Sequence, residues 1–434
     1  MNKEEEYFMV KPTKPKSLGH ELVTFIQKKM KKPGSNCKTI ANLLTAKKGL
    51  TKNTSQNLVK IINDKMNKKK YPPVTRLELM LTENCNLNCE YCFISFKNKF
   101  NRMTELISKK SIDFLLSNSK KKKKLGVFFM GGEPLLEFDL IKATVDYAKE
   151  KLKNSDKKIA FSMTTNGTLF NDKILSYMKK NKITFMLSLD GTKKTQDMFR
   201  KLPSGAGSYD KTVSLIPLMK KFFPSFPVRV TPMPESISEL FENIKHLSLD
   251  LGLSSFIVGP ATNTVWNKKS LKLYEEQMLK VIHWIKKQKS DKNRISILNL
   301  KSDSPSEKNA AVRGCMAGRT SFTVTTDGNF YPCSKMLGLN KKQGIFRLGS
   351  LSDGITEFYN RMTLSGMIKV NNSQCKKCLI KKRCTGGCYA SNFQATGDIF
   401  SQGTQDCKIS TLFMSLSDKA ETVLGKKYFK KIKD

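Results

Sequence analysis

The chain has 434 residues, with 78 Lys and Arg against 37 Asp and Glu and a formal net charge of +41. It is long enough for a sizeable core and two or three domains, and it holds no apolar run of about eighteen residues that would cross a membrane. The opening MNKEEEYFMVKPTKPK carries three acids and no apolar stretch of the signal-peptide kind, so the expected compartment is the cytoplasm.

Residues 1–70 are rich in Lys. Leu22, Phe25 and Ile26 share a helical spacing, as do Leu58, Ile61 and Ile62, with KKPGSN at 31–36 between the two patterns. This predicts a small helical N-terminal extension. Cys37 has no second cysteine near it and reads as an ordinary small residue.

From residue 71 to 300 short apolar runs alternate with amphipathic stretches. The runs are RLELML at 76–81, LGVFFM at 125–130, IAFSMT at 159–164, ITFMLS at 183–188, PVRVTP at 227–232 and SFIVG at 255–259. Helix-like stretches between them include 104–118, 171–180 and 238–252. Strand–helix alternation gives a parallel sheet covered by helices, and six repeats predict an α/β fold with a partial (β/α)6 barrel. Ligands in such folds sit at the C-terminal ends of the strands. Residues 301–434 lose the alternation. FTVTTDGNFYPC at 322–333 reads as a hairpin turning at Asp327-Gly328, and the remainder is expected to be too loop-rich for a large core of its own.

The cysteines carry the chemistry. Eleven in a chain without secretion signals point to metal rather than disulfides. The histidines, His20, His246 and His283, are scattered, so thiolate must supply nearly every ligand. Cys85, Cys89 and Cys92 follow the first strand with the spacing CxxxCxxC. Three thiolates hold three irons of a [4Fe–4S] cube and leave the fourth open, whereas four would close it. A zinc site would need a fourth Cys or His nearby, and none lies within forty residues on either side. The other strand ends carry Met130-Gly131-Gly132-Glu133-Pro134, Thr164-Thr165-Asn166-Gly167 and Ser188-Leu189-Asp190-Gly191 with Arg200 beyond. Glycines there let the backbone approach a ligand.

In these motifs the chain resembles the radical S-adenosylmethionine (SAM) superfamily. The resemblance implies that the open iron grips SAM, whose reductive cleavage yields a 5′-deoxyadenosyl radical. It places Gly131, Gly132 and Glu133 at the methionine amino group, Ser188 at the ribose and Arg200 at the carboxylate. Tyr91 falls beside the adenine, and Asn166 and Asp190 join the same cofactor site. Arg229 and Thr231 resemble a weaker motif and are left out of it. The later cysteines resemble the seven-cysteine SPASM extension, which binds two auxiliary [4Fe–4S] clusters. By that resemblance Cys375, Cys378, Cys384 and Cys407 close one cluster, and Cys315, Cys333 and Cys388 hold the other. Seven ligands for two cubes leave one iron without a cysteine; it is either open or served from elsewhere.

SPASM enzymes mostly oxidise residues within peptides or proteins. The resemblance therefore implies a precursor peptide with a leader as substrate, a cysteine thioether or another crosslink as product, and a reductase, flavodoxin or ferredoxin as electron donor. Sulfatase-maturing members carry an Asp after the cysteine of the YPC motif. Here Tyr331-Pro332-Cys333 is followed by Ser334, a poor base near neutral pH, which makes formylglycine formation the alternative. Nucleic-acid modification rests on charge alone. Only ten of the 78 basic residues are Arg, the residue suited to bidentate phosphate recognition.

Overall fold

Every apolar run of the central region becomes a strand, and each strand ends where the sequence turns to glycine or polar residues. The computed structural model describes residues 72–94, 98, 100–288, 295–300, 315–339, 346–356, 383–384, 386–397 and 403–430, together with positions 42, 56, 378, 380 and 399. The expected helices of residues 1–70, Cys37 and Cys375 lie outside the described residues.

Seven strands run in chain order: β1 (Arg76–Thr82), β2 (Lys124–Gly131), β3 (Lys158–Thr165), β4 (Thr184–Ser188), β5 (Val228–Val230), β6 (Ser255–Val258) and β7 (Ser296–Ile297). All pair in parallel with their neighbours. The seventh is a two-residue addition beyond the six expected. Alternation fixes the faces of β1. Leu77, Leu79 and Leu81 are fully buried in the main core, whereas Glu78, Met80 and Thr82 point to the other side.

The helices cover the apolar face. The first is α1 (Glu105–Asn118), capped by Thr104 Oγ1, which accepts from the Ile107 N–H at 3.3 Å. Next come α2 (Phe138–Leu152), which buries Ile141, Val145 and Ala148, and α3 (Asp172–Lys180), capped by Asn171. They are followed by α4 (Lys193–Phe199), α5 (Tyr209–Val213), α6 (Ile216–Phe222), α7 (Leu240–Leu249) and the long α8 (Lys268–Lys287). Among the described residues no helix is long and apolar enough to cross a membrane.

The C-terminal hairpin joins the same sheet. Its strands β8 (Ser321–Val324) and β9 (Asn329–Tyr331) turn at Gly328, and β8 lies parallel to β1, Arg76 opposite Ser321 and Leu79 opposite Val324. Short strands β10 (Gly349–Ser350) and β11 (Gly354–Ile355) follow, completing an eleven-stranded sheet ordered β11-β10-β9-β8-β1-β2-β3-β4-β5-β6-β7. Phe322 and Phe330 sink into the main core beside Phe114, so the hairpin shares that core. Beyond it α9 (Tyr389–Thr396), α10 (Thr404–Leu424) and α11 (Lys426–Lys430) add more regular structure than the expected loops. The α10 helix packs on α8 through Tyr274 and Phe413 and through Lys419 and Glu275, 2.7 Å apart.

Candidate active site

The cysteine loop leaves the C-terminal end of β1 and is pinned on three sides. Behind it lies the glycine pair that ends β2. The Gly132 N–H donates to Thr82 O at 3.0 Å, and the Glu133 N–H to Asn84 O at 2.9 Å. A Cβ on Gly132 would stand 2.0 Å from Asn84 O and 2.9 Å from the Cys85 Cβ. The glycine is thus required by the cysteine loop itself. On the second side Asn86 donates to Thr168 Oγ1 and accepts from Asn166 Nδ2, both at 2.8 Å, tying the loop to the end of β3. On the third side Asn88–Cys89 forms a short antiparallel ladder with Arg200–Lys201. Cys85, Cys89 and Cys92 are half-buried. The Leu87 N–H lies 3.4 Å from the Cys85 sulfur, and Arg200 Nη1 lies 3.8 Å from that of Cys89.

Glu133 is only 1 % exposed. Its Oε1 accepts from the Leu135 N–H at 3.1 Å and from Thr165 Oγ1 at 2.7 Å; its Oε2 accepts from the Asn166 N–H at 2.9 Å. Burial raises its pKa to about 7 against these donors and against the nearby Arg200 cation. The carboxylate is turned into the protein, where it brackets the ends of β2 and β3.

Asp190 does the same between β4 and β5. It is 2 % exposed. Its Oδ1 accepts from the Thr231 N–H at 2.9 Å; its Oδ2 accepts from Arg200 Nε at 2.8 Å and from the Tyr91 hydroxyl. The guanidinium of Arg200 stands 5.2 Å from the centre of the Tyr91 ring. Burial works against the Arg200 cation, but chiefly Asp190 overcomes it and holds its pKa well above the ordinary value. Burial also pushes the Tyr91 phenol well above its usual range, so Tyr91 stays a neutral donor. Ser188 ends β4 and is nearly buried, opposite Arg229 of β5.

The sequence resemblance implies two groups among the later cysteines. Cys315 precedes β8, Cys333 follows β9, and Cys388 caps the N-terminus of α9. Burial is the largest influence on the first two thiols. It raises that of Cys315, and it pushes that of Cys333 up to about 12. The charges of Cys388 and Glu78 reach both and push the same way. In the second group Cys378 is exposed and Cys384 half-buried, with the Gly386 N–H 3.4 Å from the Cys384 sulfur. Cys407 sits in the first turn of α10, which Gln405 anchors by bonds to the Trp266 N–H and Thr264 O. Cys375 is outside the described residues.

Comparison with known proteins decides the family. The Radical SAM superfamily matches residues 79–247, and the SPASM iron–sulfur cluster-binding domain matches residues 315–385. The chain is a radical SAM enzyme with a C-terminal SPASM domain. An uncharacterized protein of Methanocaldococcus jannaschii is 33% identical over 171 residues, which span 39% of this chain and 57% of that relative. The cysteine-type anaerobic sulfatase-maturating enzyme of Clostridium perfringens is 24% identical over 348 residues, 73% of this chain and 89% of that enzyme. Among solved structures, anSMEcpe with bound AdoMet superposes with a TM-score of 0.65 at 20% identity, covering 81% of this chain and 98% of that one. Streptococcus suis SuiB bound to its precursor peptide SuiA gives 0.58 at 18% identity, covering 82% and 81%. These likenesses establish the α/β fold with its parallel sheet.

SAM and iron–sulfur clusters are the cofactors that these two families bring, and the residues of this radical SAM enzyme fit them. At the first site three half-buried thiols share one short loop, with an amide and a guanidinium directed at two of the sulfurs. At the hairpin, burial pushes the Cys333 thiol up to about 12, and a bound cation favours its thiolate. Among the described residues no three Cys, His, Asp or Glu side chains stand close enough to share one metal ion; a cube gives each thiolate an iron of its own. Sequence reasoning gave no site role to Asn86, Thr165 or Gln196 and left Thr231 out, yet their bonds hold Asn166, Glu133 and Asp190 in place. Asn86, Thr165 and Thr231 are polar residues at or soon after a strand end, whereas Gln196, inside α4, carried no such signal.

Proposed function

We propose that this radical SAM enzyme oxidises a residue in a ribosomally made precursor peptide, with a cysteine thioether or another crosslink as the product. Bound SAM, cleaved by one electron from the first cluster, supplies a 5′-deoxyadenosyl radical that takes a hydrogen atom from the substrate. The chain's own residues orient that event. Cys85, Cys89 and Cys92 hold the cluster. Arg200, fixed by Asp190 and directed at Cys89, presents the rest of its fork to the SAM carboxylate. Tyr91 packs at the adenine and Ser188 faces the ribose. Glu133 and Asn166 lock the glycine strand end that receives the amino group.

The observation that carries the peptide reading is the closeness of the SPASM hairpin to the radical site. Met80, on the inner face of β1, shares an apolar cluster with Cys92, Ile94 and Met130 on one side and with Tyr331 and Leu337 of the hairpin on the other. A second-electron acceptor held there suits a reaction in which a carbon radical must be oxidised as a new bond forms. SuiB, of similar fold, is bound to a precursor peptide. The seven cysteines from Cys315 onward are assigned to two auxiliary clusters, giving about twelve irons per chain from three cubes. A reductase, flavodoxin or ferredoxin serves as the one-electron donor. Residues 1–70 are assigned the docking of an acidic leader.

Formylglycine formation is the second reading, favoured by the 24% identity that extends over 89% of the sulfatase-maturating relative. Ser334, in place of the Asp after the cysteine, counts against it. The test is anaerobic incubation of the reconstituted enzyme with SAM, a strong reductant and a short cysteine-containing peptide encoded beside its gene. The expected result is 5′-deoxyadenosine together with a peptide lighter by two hydrogens. No 5′-deoxyadenosine refutes radical chemistry, and a cysteine turned into an aldehyde establishes the second reading.

A further inference from the structure

Three thiolates satisfy three of the four irons in a cube. The group of Cys315, Cys333 and Cys388 is therefore one donor short, and MAGRTSF at 316–322 offers no cysteine. A different donor stands beside them. Glu78 projects from the inner face of β1, half-buried. Its Oε2 accepts from the N–H of Ser334, the residue after Cys333, at 3.3 Å, and from Thr323 Oγ1 at 2.7 Å. Thr323 lies in β8 and Ser334 just beyond β9, so the carboxylate is clamped onto the hairpin that carries Cys333. Both bonds fall on one oxygen. Among the described residues no Lys, Arg or His side chain pairs with it.

We infer that Glu78 is the fourth ligand of the auxiliary cluster held by Cys315, Cys333 and Cys388, binding iron through Oε1 while Oε2 keeps its bonds to the hairpin. The inference rests on the two-auxiliary-cluster reading above. Iron accepts carboxylate oxygen as well as thiolate. A cluster capped from within by Glu78 relays electrons and leaves the substrate thiolate unbound.

Two variants separate ligation from hydrogen bonding. Glu78→Gln keeps an oxygen that accepts from Ser334 and Thr323 but is a poor iron ligand; Glu78→Cys ligates iron but loses those bonds. Both are made in the full chain carrying Cys85→Ala, Cys89→Ala and Cys92→Ala, so that auxiliary clusters alone are counted. After anaerobic reconstitution, iron is assayed and electron paramagnetic resonance spectra are taken following mild oxidation. Before oxidation the parent and Glu78→Gln should each hold about eight irons per chain; after it, which strips an uncapped iron, the parent should keep about eight and Glu78→Gln about seven, with the signal of a three-iron cluster. Glu78→Cys should restore the eighth iron and remove that signal. An unchanged count and spectrum in Glu78→Gln overturn the assignment; they are also what a role for Glu78 as substrate base would give. Where Glu78→Gln loses both clusters, Glu78→Cys decides: a full iron complement supports ligation, and a deficit overturns it. A parent holding no more than about four irons overturns instead the two-auxiliary-cluster reading on which the inference rests.

Discussion

Glu133 allows the bracket at the strand ends to be tested by titration. Its carboxyl ionises at about 7 in the folded protein, because burial outweighs its three donors. In an unfolded chain the same group ionises near the ordinary Glu value of about 4.3. The folded-state pKa is the higher one, so the folded protein keeps this proton over an interval in which the unfolded chain has lost it. The stability contributed by the protonated group is complete below the unfolded value and is lost as pH rises through about 7. At about 1.4 kcal/mol per unit, the loss between pH 5 and 8 is on the order of 2–3 kcal/mol. Glu133→Gln has no proton to lose and matches the neutral carboxyl in shape, with one acceptor oxygen and one donor arm. The variant should therefore gain on the wild type by that amount across the interval. The assay is the urea midpoint of the reconstituted protein, both forms side by side at each pH so that other titrating groups cancel. A difference that stays flat from pH 5 to 8 refutes the argument that burial governs this carboxyl.

Gly132→Ala places a methyl group 2.0 Å from Asn84 O, so the cysteine loop must move; the variant should lose about four irons per chain by assay, leaving the auxiliary clusters in place. Arg200→Lys cannot serve Asp190 and Cys89 together; losing one charge-assisted bond costs about 1.5–3 kcal/mol, so the KM for SAM in uncoupled cleavage should rise by about 10–100-fold. Deleting residues 1–70 should weaken precursor binding in a fluorescence titration while uncoupled 5′-deoxyadenosine formation continues; unchanged binding refutes their docking role.

The strands were legible because each is an apolar run closed by glycine or polar residues, and the hairpin because Asp327-Gly328 is strong turn chemistry. The joining of β8 to β1 was not. Parallel strands about 245 positions apart leave no local mark of their pairing. The length of α10 was hidden for another reason. Ile409, Leu412, Phe413 and Leu416 do keep the spacing of a helical face, but they follow a cysteine-dense stretch that reads as loops, and the helix earns its stability from the α8 face it covers. At the site, motif order located the strand ends but said nothing of side-chain direction. Glu133 and Asp190 were placed among cofactor contacts. The structure turns both inward, every carboxylate oxygen taken by a protein donor.

That inward turn has an electrostatic reason. A cube with three thiolates and the carboxylate of SAM together bring negative charge to the ends of β1–β4, and a free acid among them would repel both. Each buried acid is disarmed differently. Glu133 faces only neutral donors and is half-protonated near pH 7. Asp190 stays beside the Arg200 cation, with the Tyr91 hydroxyl and a backbone N–H completing its shell. The second arrangement also fixes the cation. With Nε committed to Asp190 and Nη1 aimed at the Cys89 sulfur, the guanidinium plane cannot rotate, and its remaining N–H groups keep one direction for an incoming carboxylate. In the proposed site Asp190 is thus a positioning residue, whose part is to fix Arg200. An ammonium group has no such plane, so the same aspartate could hold a Lys in place without giving it a direction.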